Sequence, residues 1–349
     1  MSQRSLDYGF KKNQNVSEDV YESFNKDYKK ILERRESRWD TTNLVDPSKL
    51  KRGPRLKSFC RKGIPQKYRI RVWMKLCEAD IAMVNHPEDY DRFLTQPVRK
   101  EWKNVIDVDI PRTFPENEYF ASEDGSNSRI DCLRNVLYAF ANRNESVGYC
   151  QGLNYIAATI LLAFDETESD KQMEMKTFWI MNQLVENIIP NYYSDEMMSL
   201  TRDCLVMENL LEDRMKDVYT LLKKSQIDMV MIATKWFICC FADVVPIETV
   251  FRIFDCLFYE GDKILFRAAL TLIKMHKNDI LKHRDLPTVL KTFKAIGKDQ
   301  QTLYCHEFTR NMFSMNTNFS RNEIAKYREN NSTTLRYSKS LKVQELAKD

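Results

Sequence analysis

The feature that most constrains the fold of this chain is a polar loop, Gly148–Asn154, followed at once by its most apolar segment. From Tyr155 to Phe164 nearly every residue is apolar, so a helix here would carry apolar side chains around its whole circumference. Such a helix is typically buried on every side by other helices. We therefore expect the chain to fold around residues 155–164, with the polar loop at the entry to the buried helix.

Gln151 and Gly152 occupy that entry. A glycine allows another backbone or a ligand to approach closely, and an amide beside it on a rigid base can be presented as a functional group. An alternative is that Gly152 permits tight helix packing while Gln151 satisfies the first free backbone donors of the helix. The loop alone leaves both interpretations open.

The remainder of the chain predicts an all-α fold. Only 8 of 349 residues are glycine, which argues against a turn-rich β fold, and the length suits one large lobe or two coupled lobes, with tails. Apolar residues recur at three- and four-residue spacing in most segments, with no period-two alternation. The segments with this helical spacing are 17–39, 64–76, 90–102, 130–140, 178–188, 197–211, 229–241, 247–258, 264–281 and a pair after Pro287.

Composition and motifs exclude several classes of function. With 54 basic against 50 acidic residues, the net charge of +4 is too small for a dedicated nucleic-acid binder. The sequence contains no phosphate-binding Gly-x-x-x-x-Gly-Lys loop, and its four histidines are scattered, so we expect no metal site and no nucleotide hydrolase. Nine cysteines without a Cys-x-x-Cys pair, and no apolar run after Met1–Ser5, predict a cytoplasmic protein.

The two ends differ from the centre. Residues 17–39 predict an amphipathic helix that must dock on the body, whereas residues 1–15 and 331–349 lack an apolar stripe and are expected to contribute little stability. Between Pro47 and Lys62 basic residues cluster around a Gly53-Pro54 break, which predicts a linker. A peripheral membrane contact through residues 49–62 is an alternative to a solvated linker.

Arg112 is the second candidate functional residue. It lies between Pro111 and Pro115 in a segment predicted to be an ordered, non-helical loop, and Asp109 is placed to orient it. A purely structural Asp109–Arg112 pair is the alternative. A calcium loop is excluded because Pro111 and Arg112 occupy a ligand position and the obligatory glycine position. A single predicted helix separates this loop from Gln151, so both side chains could open into one cleft.

Three motifs make the chain resemble the TBC family of Rab GTPase-activating domains. They are Arg61-Lys62-Gly63-Ile64-Pro65 with Arg69 and Trp73, then Ile106-x-x-Asp109-x-x-Arg112, and then Tyr149-x-Gln151-Gly152. They occur in the family's order, and the similarity runs from about Phe59 to about Phe313. From the four-residue spacing alone, Arg69 is predicted to stack on Trp73.

The resemblance implies a two-lobed helical TBC domain over residues 58–315, with an N-terminal extension (1–57) and a charged C-terminal helix or tail (316–349). It implies an activator of a GTP-bound Rab in vesicle trafficking, with Arg112 as arginine finger and Gln151 as glutamine finger. Asp109, Tyr149, Gly152 and Asn154 would support the catalytic loops, and Arg69 and Trp73 would be structural. No cofactor is implied, because Mg²⁺ and GTP belong to the partner. A TBC-fold scaffold that binds a Rab without activating it is the alternative, and a helical adaptor is a third.

Overall fold

The structure is a computed structural model, and it describes residues 8–12, 16–42, 46, 50–121, 128–164, 167–194, 196–314 and 319–346, without the side chains of 334 and 336–346. Throughout these residues the secondary structure is helical, and the one β feature is an isolated bridge between Phe10 and Asn117. The predicted all-α class is therefore confirmed. No helix in the described ranges is long and apolar enough to cross a bilayer.

Nineteen α-helices follow one another in these ranges. They are α1 Glu18–Asp40, α2 Pro54–Lys62, α3 Gln66–Leu76, α4 Ala79–Asn85, α5 Asp89–Thr95, α6 Lys100–Asp109, α7 Ser128–Arg143, α8 Leu153–Leu162, α9 Asp170–Gln183, α10 Met198–Arg214, α11 Lys216–Lys224, α12 Met229–Ile238, α13 Ile247–Glu260, α14 Lys263–Met275, α15 Lys277–Ile280, α16 Leu286–Ala295, α17 Gln300–Leu303, α18 Cys305–Ser314 and α19 Arg321–Leu346. Turns of 3₁₀ helix follow α6 and α16, and a π-helical turn follows α9.

The helices pack in two groups that share one apolar core. Helices α5, α6, α8 and α9 contact α7, and α4 contacts α9, whereas most of the helices from α10 to α19 contact α10, α13 or α14. Helix α3 joins the groups because it contacts both α9 and α13. The side chains buried in both groups form one continuous cluster. The lobes are therefore coupled through a common core, which fixes the relative position of loops carried by either.

Helix α8 is the buried helix predicted from the sequence. Every residue from Leu153 to Leu162 is buried except Tyr155, and the helix packs on α7 and α9. Because nine of its ten side chains are excluded from water, the position of α8 is fixed by packing on all sides. The loop in front of it therefore begins from a rigid support.

Part of the predicted basic linker is helical. Helix α2 begins at Pro54, which tolerates the first helical turn because its missing N–H would be unpaired there, and it ends at Gly63, whose φ is +105°. Arg61 donates two hydrogen bonds to Glu260, at 2.6 and 2.8 Å, so α2 is attached to the end of α13. The linker prediction is wrong for Pro54–Lys62, because these residues form a helix whose Lys57 and Arg61 both pair with Glu260.

Helix α19 is docked on the C-terminal lobe through its first half. Arg328 donates hydrogen bonds of 2.8 and 2.5 Å to the fully buried carboxylate of Asp203 in α10, and it also pairs with Asp262. A guanidinium bound by both oxygens of a buried carboxylate fixes the helix in orientation as well as position. Residues 347–349 of the predicted tail lie outside the described part of the chain.

Candidate functional site

Arg112 lies at the end of a 3₁₀ turn, Ile110–Arg112, which continues directly from α6. Its Nε donates to the Val108 carbonyl at 3.1 Å, and Nη2 donates to Oδ1 of Asp109 at 3.2 Å, while 61% of the side chain stays exposed. The predicted non-helical loop is therefore wrong up to Arg112. Pro111 is tolerated because the first turn of a helix needs no N–H from it.

Asp109 connects Arg112 to the loop before α8. Its side chain is only 5% exposed, and Tyr149 donates a hydrogen bond of 2.8 Å from its phenol to Oδ2. Burial, followed by the neighbouring Asp109 carboxylate, raises the pKa of Tyr149 far above its ordinary value of 10. Tyr149 therefore stays protonated and donates at any physiological pH, which leaves Oδ1 of Asp109 for Arg112.

Asn154 connects the same two segments on the buried side. Its Nδ2 donates to Oγ1 of Thr113 at 2.8 Å, and its Oδ1 accepts the backbone N–H of Gly152 at 3.1 Å. Thr113, which is fully buried, in turn donates to the Asp109 carbonyl at 2.8 Å. The side-chain amide of Asn154 thus holds both Thr113, the residue after Arg112, and Gly152, the residue after Gln151. Sequence reasoning did not single out Thr113, because its role depends on α8.

Gln151 lies in the turn that leads into α8, and its side chain is exposed. Gly152 takes the N-cap position without any side-chain cap, and the amide of Asn154 accepts the Gly152 N–H instead. Within the described ranges, the Gln151 amide has no hydrogen-bond partner. The helix-cap interpretation of Gln151 is therefore wrong, and the amide is free to reach outward.

Two glycines shape this loop. Gly152 has φ +111°, and a Cβ there would lie 3.3 Å from the Ile238 carbonyl, so it does permit the tight helix packing considered from the sequence. Gly148 has φ +56°, and a Cβ there would lie 2.2 Å from Nε1 of Trp102. Both positions combine a left-handed backbone with close neighbours, which only glycine accommodates without strain.

Arg69 and Trp73 are buried, with 1% and 0% exposure, but they do not stack on each other as the spacing predicted. The Arg69 guanidinium lies 4.6 Å from the ring centre of Phe251, and Trp73 donates from Nε1 to Asp255 at 2.9 Å. Both partners belong to α13. The stacking prediction is wrong because the nearest ring and the nearest carboxylate come from a helix about 180 residues further along the chain.

A buried carboxylate, Glu248, ties the N-terminal extension to this core. It accepts hydrogen bonds from Tyr8 at 2.8 Å and Tyr28 at 2.5 Å, and it lies 3.5 Å from Arg69 and 3.6 Å from Arg35. Burial raises the pKa of Glu248, but the charges of Arg69 and Arg35 and the hydrogen bonds from Tyr28 and Tyr8 together outweigh burial and lower it below its ordinary 4.5. Glu248 thus stays ionised, and the N-terminal segment is part of the structural core. Tyr8 is buried and bonded although residues 1–15 carry no apolar stripe, and its contribution to stability stays a prediction.

The predicted basic segment 49–62 has fewer free charges than its sequence suggests. Arg52 donates to the carbonyls of Tyr259 and Leu76, at 2.6 and 2.7 Å, and Lys57 pairs with Glu260 at 3.3 Å. Lys49 lies outside the described residues. The membrane contact of this segment stays a prediction.

A solvent-open cavity of about 760 Å³ lies beside Arg112. Its lining comes from residues 10–12 with α1, residues 112–116 and residues 242–248, together with Tyr155, Lys298 and Leu303. Basic and acidic side chains both reach its wall. Among the described residues no group of three metal-ligating side chains is present, and all nine cysteines are free thiols. The lining of the cavity includes Arg112 but not Gln151, so this cavity does not bring the two candidate side chains together.

The helical fold and the comparisons with known proteins together define the class of protein. The family model of the Rab-GTPase-TBC domain matches residues 66–281, and the chain belongs to this family. It is similar to growth hormone-regulated TBC protein 1 of Homo sapiens, with 36% identity over 323 residues, or 92% of this chain and 93% of the human protein. Growth hormone-regulated TBC protein 6 of Caenorhabditis elegans is 34% identical over 82% of this chain and 79% of its own.

Solved structures agree with this assignment. The Chlamydomonas flagellar RabGAP TBC domain superposes with a TM-score of 0.75 at 28% identity, over 89% of this chain and 99% of that domain. The Ypt/Rab-GAP domain of Gyp1p superposes with a TM-score of 0.68 over 81% of this chain and 97% of its own. At 17% identity the second likeness supports the fold alone.

Proposed function

We propose that this protein is a GTPase-activating protein for a GTP-bound Rab, with Arg112 and Gln151 entering the partner's active site. One observation carries the proposal: Arg112 and Gln151 are both exposed, and both sit on segments held together by buried hydrogen bonds. Exposed polar side chains on rigid supports are suited to act on a second protein. The family membership supports a Rab as that protein.

Each side chain has a separate task in this proposal. The Arg112 guanidinium neutralises the negative charge that develops on the transferring phosphoryl group. The Gln151 amide orients the attacking water, a task that the GTPase's own glutamine performs in other systems. GTP and Mg²⁺ are bound by the Rab, so the activator itself needs no cofactor. In this proposal the protein meets its Rab on the cytoplasmic face of vesicle membranes and regulates trafficking there.

The neighbouring residues position the two side chains. Asp109 holds one edge of the guanidinium, and Tyr149 holds Asp109. Asn154 connects the two segments by its hydrogen bond to Thr113. The left-handed backbone of Gly152 sets the direction in which Gln151 leaves the loop. Because these bonds already hold both side chains in place, little reorganisation is needed when the partner docks. Groups that are positioned in advance lower the activation barrier of GTP hydrolysis in this way.

A Rab-binding scaffold without activating function is the second candidate. The Gln151 amide counts against it, because this exposed side chain makes no hydrogen bond within the described residues that would give it a structural task. The two functions differ in one measurement, the rate of GTP hydrolysis on a bound Rab. Binding without any rate increase would establish the scaffold.

The test is single-turnover GTP hydrolysis across a panel of Rabs with the full chain. Arg112→Ala is expected to lower the stimulated rate by about 10³–10⁵-fold, and Arg112→Lys should not restore it, because a point charge cannot replace a planar fork. A Rab whose own glutamine is changed to alanine should still respond to the native chain and lose its response to Gln151→Ala. An undiminished rate with Gln151→Ala on the native Rab would refute the assignment of Gln151.

A further inference from the structure

Phe114, two residues after Arg112, has a backbone conformation that needs external support. Its φ is +50°, in the left-handed region that bulky residues seldom adopt. Such a conformation persists where the surrounding structure over-determines it. The Phe114 side chain is buried, and its ring lies close to three others: Phe10 at 5.0 Å, Tyr155 at 5.3 Å and Phe120 at 6.2 Å between centroids.

Two of these rings join Phe114 to the rest of the site. Tyr155, on α8, donates from its phenol to the Arg112 carbonyl at 3.2 Å, so one side of the turn is held by the buried helix. Phe10 meets Phe114 edge-to-face, with 78° between the ring planes. The second support therefore comes from the N-terminal segment, more than 100 residues away in sequence.

The N-terminal segment is itself firmly attached. Tyr8 donates from its phenol to buried Glu248 at 2.8 Å, and the Tyr8 carbonyl accepts the Asn117 side-chain amide at 3.0 Å. The Gly9 carbonyl accepts the backbone N–H of Glu118 at 2.9 Å. These bonds hold the backbone just before Phe10 against residues 117–118. Phe10 is therefore presented to Phe114 by a fixed backbone.

We propose that Phe10 is a positioning residue for Arg112. Its ring, supported by the attached segment Tyr8–Phe10, keeps Phe114 in the left-handed conformation and so fixes the direction in which Arg112 leaves the turn. The N-terminal extension is then part of the activating machinery. This inference rests on the proposed function for its effect on hydrolysis, but its structural half can be measured without any GTPase.

A direct contact of Phe10 with the partner is the competing explanation, because Phe10 and Arg112 line the same cavity. The two explanations predict different kinetics. A positioning residue acts on the bound complex and lowers kcat, whereas a contact residue changes KM at constant kcat. The two explanations also predict different results for the free protein. Loss of a positioning residue would make the turn that carries Arg112 more mobile without any partner, whereas loss of a residue that only contacts the partner would leave the turn unchanged.

The experiment compares Phe10→Ala with a matched control, Phe59→Ala, in the full chain. Phe59 is also half-buried and also meets one ring edge-to-face, that of Trp39 at 5.5 Å and 79°, but it lies in α2. Two quantities are measured for each variant. The first is amide hydrogen exchange across residues 110–121, and the second is kcat and KM with the GTP-loaded Rab that responds most to the native chain.

Phe10→Ala is expected to speed exchange in residues 110–121 and to lower kcat by about 10-fold or more with KM nearly constant, because small misplacements of a catalytic group are costly. Phe59→Ala should change neither. Phe10→Tyr keeps the ring and should leave both at the native values, whereas Phe10→Leu removes the ring but stays apolar and takes the place of Phe10→Ala if that variant folds poorly. Unchanged exchange in residues 110–121 with Phe10→Ala, or a change in KM alone, would overturn the inference. If no Rab responds to the native chain, the proposed function fails, but the exchange measurement still decides whether Phe10 supports the turn that carries Arg112.

Discussion

The phenol of Tyr149 donates a 2.8 Å hydrogen bond to the buried carboxylate of Asp109, across 40 positions of sequence. Because the other oxygen of Asp109 accepts from Arg112, this bond connects the segment that carries Gln151 to the residue that holds Arg112. The two candidate fingers are thus coupled through one carboxylate. A change in either segment is expected to reach the other.

The first prediction concerns this bond. Tyr149→Phe leaves one oxygen of a buried carboxylate without its donor, which should lower the free energy of unfolding by about 1–3 kcal/mol and lower stimulated GTP hydrolysis. Tyr138→Phe is the matched control, since Tyr138 donates at 2.6 Å to Asp107, which lies two residues earlier on the same helix and is partly exposed. Equal hydrolysis rates in the two variants would argue against a link from Tyr149 to Arg112.

The second prediction concerns Gly148. Gly148→Ala forces a side chain into left-handed backbone at 2.2 Å from the Trp102 indole, so unfolding free energy should fall by about 1–3 kcal/mol. Gly53 is the control, because its backbone is extended with φ 175° and a Cβ there meets nothing within 4 Å. Denaturant melts of both variants test the claim. A Gly148→Ala midpoint as high as that of Gly53→Ala would contradict it.

The third prediction concerns the N-terminal anchor. Tyr8→Phe removes a hydrogen bond to buried, ionised Glu248 and should lower unfolding free energy by about 1–3 kcal/mol. Tyr68→Phe removes a phenol–carboxylate bond of the same kind to Asp40 at the surface, where about 0–1 kcal/mol is expected. Calorimetric melting of both variants gives the comparison. If the two losses are equally small, the N-terminal segment is not anchored through Glu248.

The fourth prediction concerns pH. Burial lowers the pKa of His276, but the hydrogen bonds to Asp299 at 2.7 Å and to the Leu272 carbonyl outweigh burial and raise it above its ordinary 6.5. A raised pKa in the folded state means that protonated His276 stabilises the fold. This contribution is fully present below about pH 6.5 and is lost as the pH rises through the raised value.

His276→Gln should therefore cost more stability near pH 6 than near pH 8.5. Asp299 also caps α17, and its own pKa lies below 3.8, so it is ionised at both values. Chemical denaturation of the native chain and the variant at the two pH values measures the difference. A variant that is destabilised equally at both would show that the charge on His276 does not contribute.

The fold class and the placement of α8 followed from the sequence because they depend on local periodicity. An apolar run at residues 155–164 can be stable as a helix only if it is buried, and α8 is buried at nine of ten positions. The Asp109–Arg112 pair could also be predicted from the sequence, since Asp109 is three residues away and reaches Arg112 within the same turn. Interactions of this range are encoded by spacing along the chain.

The partners of Arg69, Trp73 and Tyr8 were decided only by tertiary structure. Spacing predicted an Arg69–Trp73 stack, whereas packing against α13 brought Phe251, Asp255 and Glu248 to these side chains from about 180 to 240 positions away. A buried charge is satisfied by whichever opposite charge the packed helices bring to it, and no local pattern specifies that choice. The sequence determined which faces are apolar and which residues belong to the motifs. The packing of α1, α3 and α13 decided how those residues are held.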